Sequence, residues 1–378
     1  MSTYQGRDPY TGDVLSISTA DGTVTEMARE RAGSVALPWI SPGLIDLQVN
    51  GFRGRDVNSP ACTPEMILEI TDQLARAGTT VWVPTIVTAS EEQIHHALRV
   101  IAEARVTDPR AARAIPFAHV EGPFISELDG PRGVHDQSQI RPIDADEVER
   151  WRSSGPVGYV TVSPHWPDAP AQISRIAGSG VAVALGHTHA NAGQILAAVD
   201  AGASLSTHLG NGIFAELPRH PNPIWSQLAD DRLTCGFIAD GHHLPAETLT
   251  AMLRAKGTER AFLVSDAVEL AGSAPGQYET AVGGTVELTA DGRLSYVGTN
   301  LLAGSAASLA DCVTFAWRHT PLAHSMILES ATRTPGAVIR RLGGPSVGTL
   351  QVGAPADLIE LDDTGALVGV IRDGARLR

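Results

Sequence analysis

Val181-Ala182-Val183-Ala184-Leu185-Gly186-His187-Thr188-His189 is the stretch that decides the fold. Five apolar residues followed by glycine and two histidines read as a buried strand with chemistry at its carboxyl end. A helical pattern follows from Asn191 to Ala201, with Ile195, Leu196 and Val199 taken as its apolar face and Gly202 as its stop. Ala203-Ser204-Leu205 then begins a second short run that leads into Ser206-Thr207-His208-Leu209. Strand, helix and strand, with polar groups where each strand ends, form the unit of a parallel barrel.

The same pattern extends outward in both directions. Ile115-Pro116-Phe117 leads into Ala118-His119-Val120-Glu121-Gly122-Pro123, and Ala261-Phe262-Leu263 leads into Val264-Ser265-Asp266-Ala267. Candidate strands fall at Gly43–Leu47, Thr79–Val83, Ile115–Val120, Tyr159–Val162, Val181–Leu185, Ser204–Thr207, Cys235–Ala239 and Ala261–Val264. Thr63-Pro64-Glu65 has the form of a helix start, Ile67, Ile70 and Leu74 share one helical face, and Gly78 closes the segment. Eight strands in this rhythm predict an α/β chain folded as a (β/α)₈ TIM barrel. The rival, a doubly wound open sheet, would gather its ligands at one crevice and not at the ends of strands 3, 5, 6 and 8.

Both chain ends read differently. Val14-Leu15-Ser16-Ile17, Asp21-Gly22-Thr23-Val24 and Asp357-Leu358-Ile359-Glu360-Leu361 suggest short strands, with turns at Asp21-Gly22 and Asp373-Gly374. Neither end can bury a core alone. We expect residues 1–42 and 346–378 to combine into one small β domain beside a barrel of residues 43–345.

Composition narrows the function. Twenty-eight basic against 42 acidic residues give a net charge of −14, which argues against nucleic acid or an anionic membrane as partner. No apolar run reaches the ~18 residues of a membrane span. Cys62, Cys235 and Cys312 are too scattered for a disulfide framework or a thiolate metal site. Met1-Ser2-Thr3-Tyr4-Gln5 begins no basic-then-apolar leader, so a reduced, cytoplasmic protein is expected.

One carboxylate and two imidazoles, Glu121, His187 and His208, are the donor set of a catalytic metal site with an open position. Such an ion polarises a carbonyl and activates water. Asp266, at a fourth strand end, is placed to carry a proton from water to a leaving group. His189 is given a supporting or loop role, and His95, His96, His319 and His324 structural or solvated ones. Carboxylate and imidazole donors admit zinc, our first choice, and also iron, manganese or cobalt.

Taken in order, seven motifs resemble the N-acetylglucosamine-6-phosphate deacetylases of the amidohydrolase superfamily. They are Pro42-Gly43-Leu44-Ile45-Asp46-Leu47-Gln48-Val49-Asn50-Gly51, His119-Val120-Glu121-Gly122-Pro123-Phe124, Gly186-His187, Thr207-His208-Leu209-Gly210-Asn211, Ile238-Ala239-Asp240-Gly241-His242-His243, Val264-Ser265-Asp266-Ala267 and Leu302-Ala303-Gly304-Ser305. Gly353-Ala354-Pro355-Ala356-Asp357-Leu358 resembles the family's late Gly-x-x-Ala-Asp-Leu element. The resemblance implies a deacetylase of N-acetylglucosamine 6-phosphate that releases acetate and glucosamine 6-phosphate. It implies one divalent ion on Glu121, His187 and His208, with Asp266 as base and then acid, and His135 polarising the amide carbonyl. It further implies phosphate contacts from His243 and Arg219, with Arg219 supplied across a homodimer interface. Val134, Asn211, Gly212, Leu302, Ala303 and Gly304 would be the remaining substrate contacts.

The sequence departs from the pattern in three places. Gln48 and Asn50 stand where many superfamily members carry a His-x-His metal pair, which predicts a single ion. Asn211-Gly212-Ile213-Phe214 replaces the usual Asn-Ala-Met, and the loop Ser126–Gly133 is acidic where a basic residue is common. The alternative reading is therefore an amidohydrolase acting on an unphosphorylated amino sugar or an N-acyl amino acid. A metal-binding barrel without activity leaves Asp266 unexplained, and an aldolase lacks a lysine at a strand end.

Overall fold

The computed structural model describes residues 1–31, 36–280 and 284–378. Eight parallel strands follow one another around a barrel: β1 (Leu44–Val49), β2 (Thr79–Val87), β3 (Ala118–Glu121), β4 (Val157–Val162), β5 (Ala182–Leu185), β6 (Leu205–Ser206), β7 (Thr234–Ile238) and β8 (Ala261–Val264). Each pairs in parallel with the next. The ring is completed where Val49 meets Ala267, with the Asn50 amide donating to the Ala267 carbonyl at 2.8 Å and the Asp266 amide to Gln48 at 3.0 Å. A doubly wound sheet is thereby ruled out.

The strands read as short apolar runs because both of their faces are covered. Inside, Leu47, Val83, Phe117, Tyr159, Leu205 and Phe262 join a packed cluster that Val338 and Ile339 close from below. Small residues make room for large ones, since a Cβ on Gly158 would lie 2.2 Å from the Phe117 ring and one on Gly236 2.8 Å from Phe262. Outside, capped amphipathic helices bury their apolar stripes against the strands. The helix Pro64–Arg76 starts at Thr63, whose hydroxyl accepts from the Met66 amide, and it buries Ile67, Ile70 and Leu74 as expected.

Boundaries moved where local chemistry competed. Ile115 ends the short helix Pro109–Ala114, and Pro116 has no amide to give a ladder, so β3 starts only at Ala118. Asn191 caps the helix Ala192–Asp200 reciprocally with Gln194. Ile195 and Val199 are buried there, but Leu196 is 52% exposed. Residue 196 lies about 100° around the helix from 195, off the covered stripe.

The two chain ends build a seven-stranded sheet. Its order is Ala375–Arg376, Leu367–Arg372, Leu358–Leu361, Trp39–Pro42, Ser2–Arg7, Val14–Ala20 and Thr23–Glu30. The strand that enters the barrel, Trp39–Pro42, is the join, since it pairs with Leu358–Leu361 on one side and meets Arg7 on the other. Leu15, Ile17, Val24, Ile40, Leu358 and Ile371 form that sheet's own core. An addition that the sequence reading did not anticipate follows β8, a three-stranded antiparallel sheet of Gly276–Thr280, Gly284–Leu288 and Leu294–Tyr296. Among the described residues no helix is long and apolar enough to cross a membrane.

Candidate metal centre and acid–base site

Glu121 ends β3, and His187 and His208 lie just past the ends of β5 and β6. The barrel brings all three together. Glu121 Oε1 lies 2.9 Å from His208 Nε2 and 3.3 Å from His187 Nε2, and the two imidazole nitrogens are 3.2 Å apart. All three side chains are buried. The donors of a four-coordinate ion at 2.0–2.2 Å stand about 3.3 Å apart, so this set fits a single divalent cation. His187 Nδ1 donates to the Pro131 carbonyl at 2.8 Å, which leaves its Nε2 lone pair directed at the centre.

Burial alone would raise the Glu121 carboxyl, but hydrogen bonds from His187 and His208 outweigh it and hold the group well below its usual range. For His208 burial favours the neutral ring, and the Glu121 charge reverses this and raises it. His135 lies against the same set, with Nε2 3.3 Å from His187 Nε2 and Nδ1 2.9 Å from the Thr88 hydroxyl. Burial, then the neighbouring His187, push it down to about 3, so it stays a neutral imidazole.

Asp266 follows β8. Its Oδ1 accepts from Asn50 Nδ2 at 2.8 Å and from Gln48 Nε2 at 3.0 Å. The same Gln48 nitrogen also reaches Glu121 Oε1 at 3.1 Å. Burial first, and the Glu121 charge second, lift the Asp266 carboxyl to about 6. A carboxyl poised there suits a group that both takes and gives a proton near neutrality. His187, His208 and Asp266 also have positive φ, at 46°, 27° and 51°. Half of the six such non-glycine residues among those described are thus gathered in this one cluster, and backbone held out of its preferred wells concentrates at functional sites.

A family model described as the amidohydrolase family matches residues 39–377. The chain belongs to the amidohydrolase family. It is 34% identical over 329 residues to an N-acetylgalactosamine-6-phosphate deacetylase from Shewanella sp. (strain ANA-3), covering 87% of this chain and 80% of that one. It is 34% identical over 340 residues to an N-acetylglucosamine-6-phosphate deacetylase from Danio rerio, covering 86% and 80%. Among solved structures, a variant of the Mycobacterium smegmatis N-acetyl-D-glucosamine-6-phosphate deacetylase in complex with N-acetyl-D-glucosamine-6-phosphate superposes with a TM-score of 0.86 and 28% identity. The match covers 100% of this chain and 99% of that one. The family is metal-dependent, and the buried glutamate–histidine cluster of this amidohydrolase is able to hold an ion.

The other expected residues of the amidohydrolase are spread around this centre. Gly212 presses against the His187 ring, where a Cβ would lie 2.9 Å from Nδ1, and its φ is +59°. An alanine at 212 would crowd the His187 ring. The Asn211 amide donates to the His208 carbonyl at 3.0 Å. His243 Nδ1 pairs with Asp240 at 2.7 Å. Burial raises the Asp240 carboxyl, but the hydrogen bond and charge of His243 dominate and bring it to about 2. Leu302, Ala303 and Gly304 run beside the residues after Asp266, with the Ala303 amide on the Leu294 carbonyl at 3.1 Å and the Val268 amide on Ser305 at 3.0 Å. Val134 is exposed on the loop that carries His135. Arg219 is exposed on its Pro-rich loop and makes no ion pair or hydrogen bond with the described residues of its own chain.

Sequence reasoning missed the work of several neighbours. Gln48 and Asn50 were noted only as poor metal ligands, yet their amides orient both carboxylates. Asp46, pushed up to about 7 by burial, accepts from the backbone amides of Gln48 and Ser265 at 3.2 Å each and so ties β1 to β8. The alternation Asp46-x-Gln48-x-Asn50 at a strand end was the available signal.

Proposed function

We propose that this amidohydrolase removes the N-acetyl group of N-acetylglucosamine 6-phosphate, releasing acetate and glucosamine 6-phosphate. The observation that carries the reading is the packing of Glu121, His187 and His208 within 3.3 Å of one another, beside a proton-carrying Asp266 bonded through Gln48 to the same cluster. The names of the relatives supply the substrate class.

Glu121, His187 and His208 would hold one divalent ion, zinc by our reading of the donors, with iron, manganese or cobalt also accommodated. Such an ion supplies Lewis acidity to the amide carbonyl and lowers the pKa of water. Asp266 accepts the proton of the attacking water and returns it to the amine as the carbon–nitrogen bond breaks. Asn50 and Gln48 fix the carboxylate on one oxygen and leave the other to meet water and the leaving nitrogen. Neutral His135 donates a hydrogen bond to the carbonyl oxygen as charge builds there. Val134, Asn211, Gly212, Leu302, Ala303 and Gly304 line the sugar. His243, oriented by Asp240, and Arg219 of a second subunit bind the phosphate. A guanidinium matches phosphate with parallel hydrogen bonds, and an Arg219 without a partner among the described residues of its own chain is free to cross a dimer interface. The three buried, unpaired cysteines agree with a reducing cytoplasm.

The Shewanella relative favours a second reading, the galacto epimer. Acetate release from N-acetylglucosamine and N-acetylgalactosamine, each with and without 6-phosphate, separates the cases. We expect turnover of the phosphorylated gluco sugar, with Arg219→Ala raising KM for that substrate and leaving any slow turnover of the free sugar unchanged. Equal turnover with and without phosphate would overturn the phosphosugar assignment.

A further inference from the structure

Away from the centre described above, a second glutamate–histidine–histidine set sits on the barrel rim. Glu127 follows β3, His165 follows β4 and His189 follows β5, so three adjacent strand ends each contribute one side chain. Their ligand-type atoms all lie within 4.8 Å of one another. Glu127 Oε2 is 3.0 Å from His165 Nε2, and the His165 and His189 rings are 4.2 Å apart between centroids.

The surroundings hold both imidazoles in place. His165 Nδ1 is 2.7 Å from the Ser163 hydroxyl, and that hydroxyl donates to Thr188 Oγ1 at 2.8 Å. The serine oxygen is therefore left to accept from Nδ1–H, which puts the His165 lone pair on Nε2. His189 Nδ1 lies 2.6 Å from the Ser126 hydroxyl, which also accepts from the Leu128 amide at 3.2 Å. A hydrogen bond at one ring nitrogen that frees the other is the usual setting of a metal-bound histidine. The His165 side chain is only 9% exposed. Its Nε2 and Glu127 Oε2 are both buried and face each other at 3.0 Å. Two lone pairs turned toward one another in that way call for a cation between them. Donors at 2.0–2.2 Å from a tetrahedral ion stand about 3.3 Å apart, close to the spacing here.

We propose that Glu127, His165 and His189 form a second divalent-metal site, separate from the one at the barrel mouth, suited to zinc, nickel, cobalt or copper. Its consequence is mechanical. Glu127 begins the loop that carries Pro131, whose carbonyl orients His187, and His135, whose carbonyl accepts from Arg132 at 3.0 Å. An ion at the rim would fasten that loop to β4 and β5 and so brace the side of the inner site from outside.

The test is metal counting on the whole protein by equilibrium dialysis against zinc or nickel, followed by elemental analysis. Wild type should bind two equivalents per chain, and Glu127→Gln and His165→Ala one each. His208→Ala should keep the rim equivalent, and Glu127→Gln added to His208→Ala should lose it. Glu127 is partly exposed on a loop, so its substitution leaves folding intact even if His165→Ala does not. One equivalent in wild type, as when a proton alone joins Glu127 to His165, overturns the proposal. So does a second equivalent that survives both rim substitutions. Acetate release is read separately, so failure of the rim site leaves the deacetylase reading standing.

Discussion

The two ends of the barrel are built on opposite rules. At the lower end Phe262, Leu205, Val338 and Ile339 close an apolar plug. At the upper end buried Glu121, His135, His187 and His208 and half-buried Asp266 crowd charge and polarity into one space, partly on strained backbone. The plug is where apolar burial is collected, at roughly 25 cal/mol per Å². The rim gives some of that up to hold groups whose protonation is set by their neighbours. A change to the acid–base groups at the upper end should therefore move activity and leave stability alone, and a change in the plug should do the reverse.

The largest expected effect is at the rim. Asp266→Asn should slow acetate release by roughly 10²–10⁴ while metal content and melting temperature hold. Wild-type kcat/KM should fall as pH drops and Asp266 takes up its proton. With the carboxyl at about 6, and a bound cation drawing it lower, that acidic limb should sit at or below this value. Retained activity in the variant would remove the distinction between the ends. Next comes the plug. Phe262→Ala should cost about 3–5 kcal/mol in urea unfolding, with normal turnover per folded molecule. A loss of specific activity there would mean that the lower packing sets the rim geometry.

Gln48→Leu sharpens the comparison, because Gln48 makes no metal contact in our reading. We expect a loss of about 10–100-fold in activity or metal affinity, as for other groups that orient ligands. The smallest effect concerns Asp240. Its carboxyl is lowered to about 2 from 3.8, so the pair with His243 stabilises the fold fully above the higher value and loses this as pH falls through the lower one. Asp240→Asn should therefore cost about 2 kcal/mol near neutrality. The gap between the urea midpoints of wild type and variant should close as pH is lowered from 4 toward 2. A gap that did not change with pH would deny the ion pair its role.

The barrel was legible because each strand is short, apolar and followed by a helix start or a polar end, as at Val181–His189. Glu121, His187, His208 and Asp266 stood out for the same reason, since the strand ends converge. What stayed hidden depended on side chains meeting across the ring. Nothing in the order of residues says that the Gln48 amide bridges Glu121 and Asp266, or that Asp46 holds Ser265, because those partners are more than seventy positions apart. Leu196 misled because it is apolar in a helix with only a narrow covered stripe. The three-stranded addition after β8 escaped because its strands are short and bury only Val286, Leu288 and Leu294 among their apolar residues.

The ring closes at the seam between β1 and β8, where the Asp266 amide bonds Gln48, the Asn50 amide bonds Ala267, and Asp46 bonds Ser265. The proposed proton carrier is thus stitched into the last joint of the circle. A chain still leaving the ribosome has its proposed metal donors long before residues 261–267 arrive, and on that proposal it has no proton carrier until they dock. Turnover accordingly reports that the circle is complete, and a fragment ending before Ala261 should remain silent however well it binds an ion.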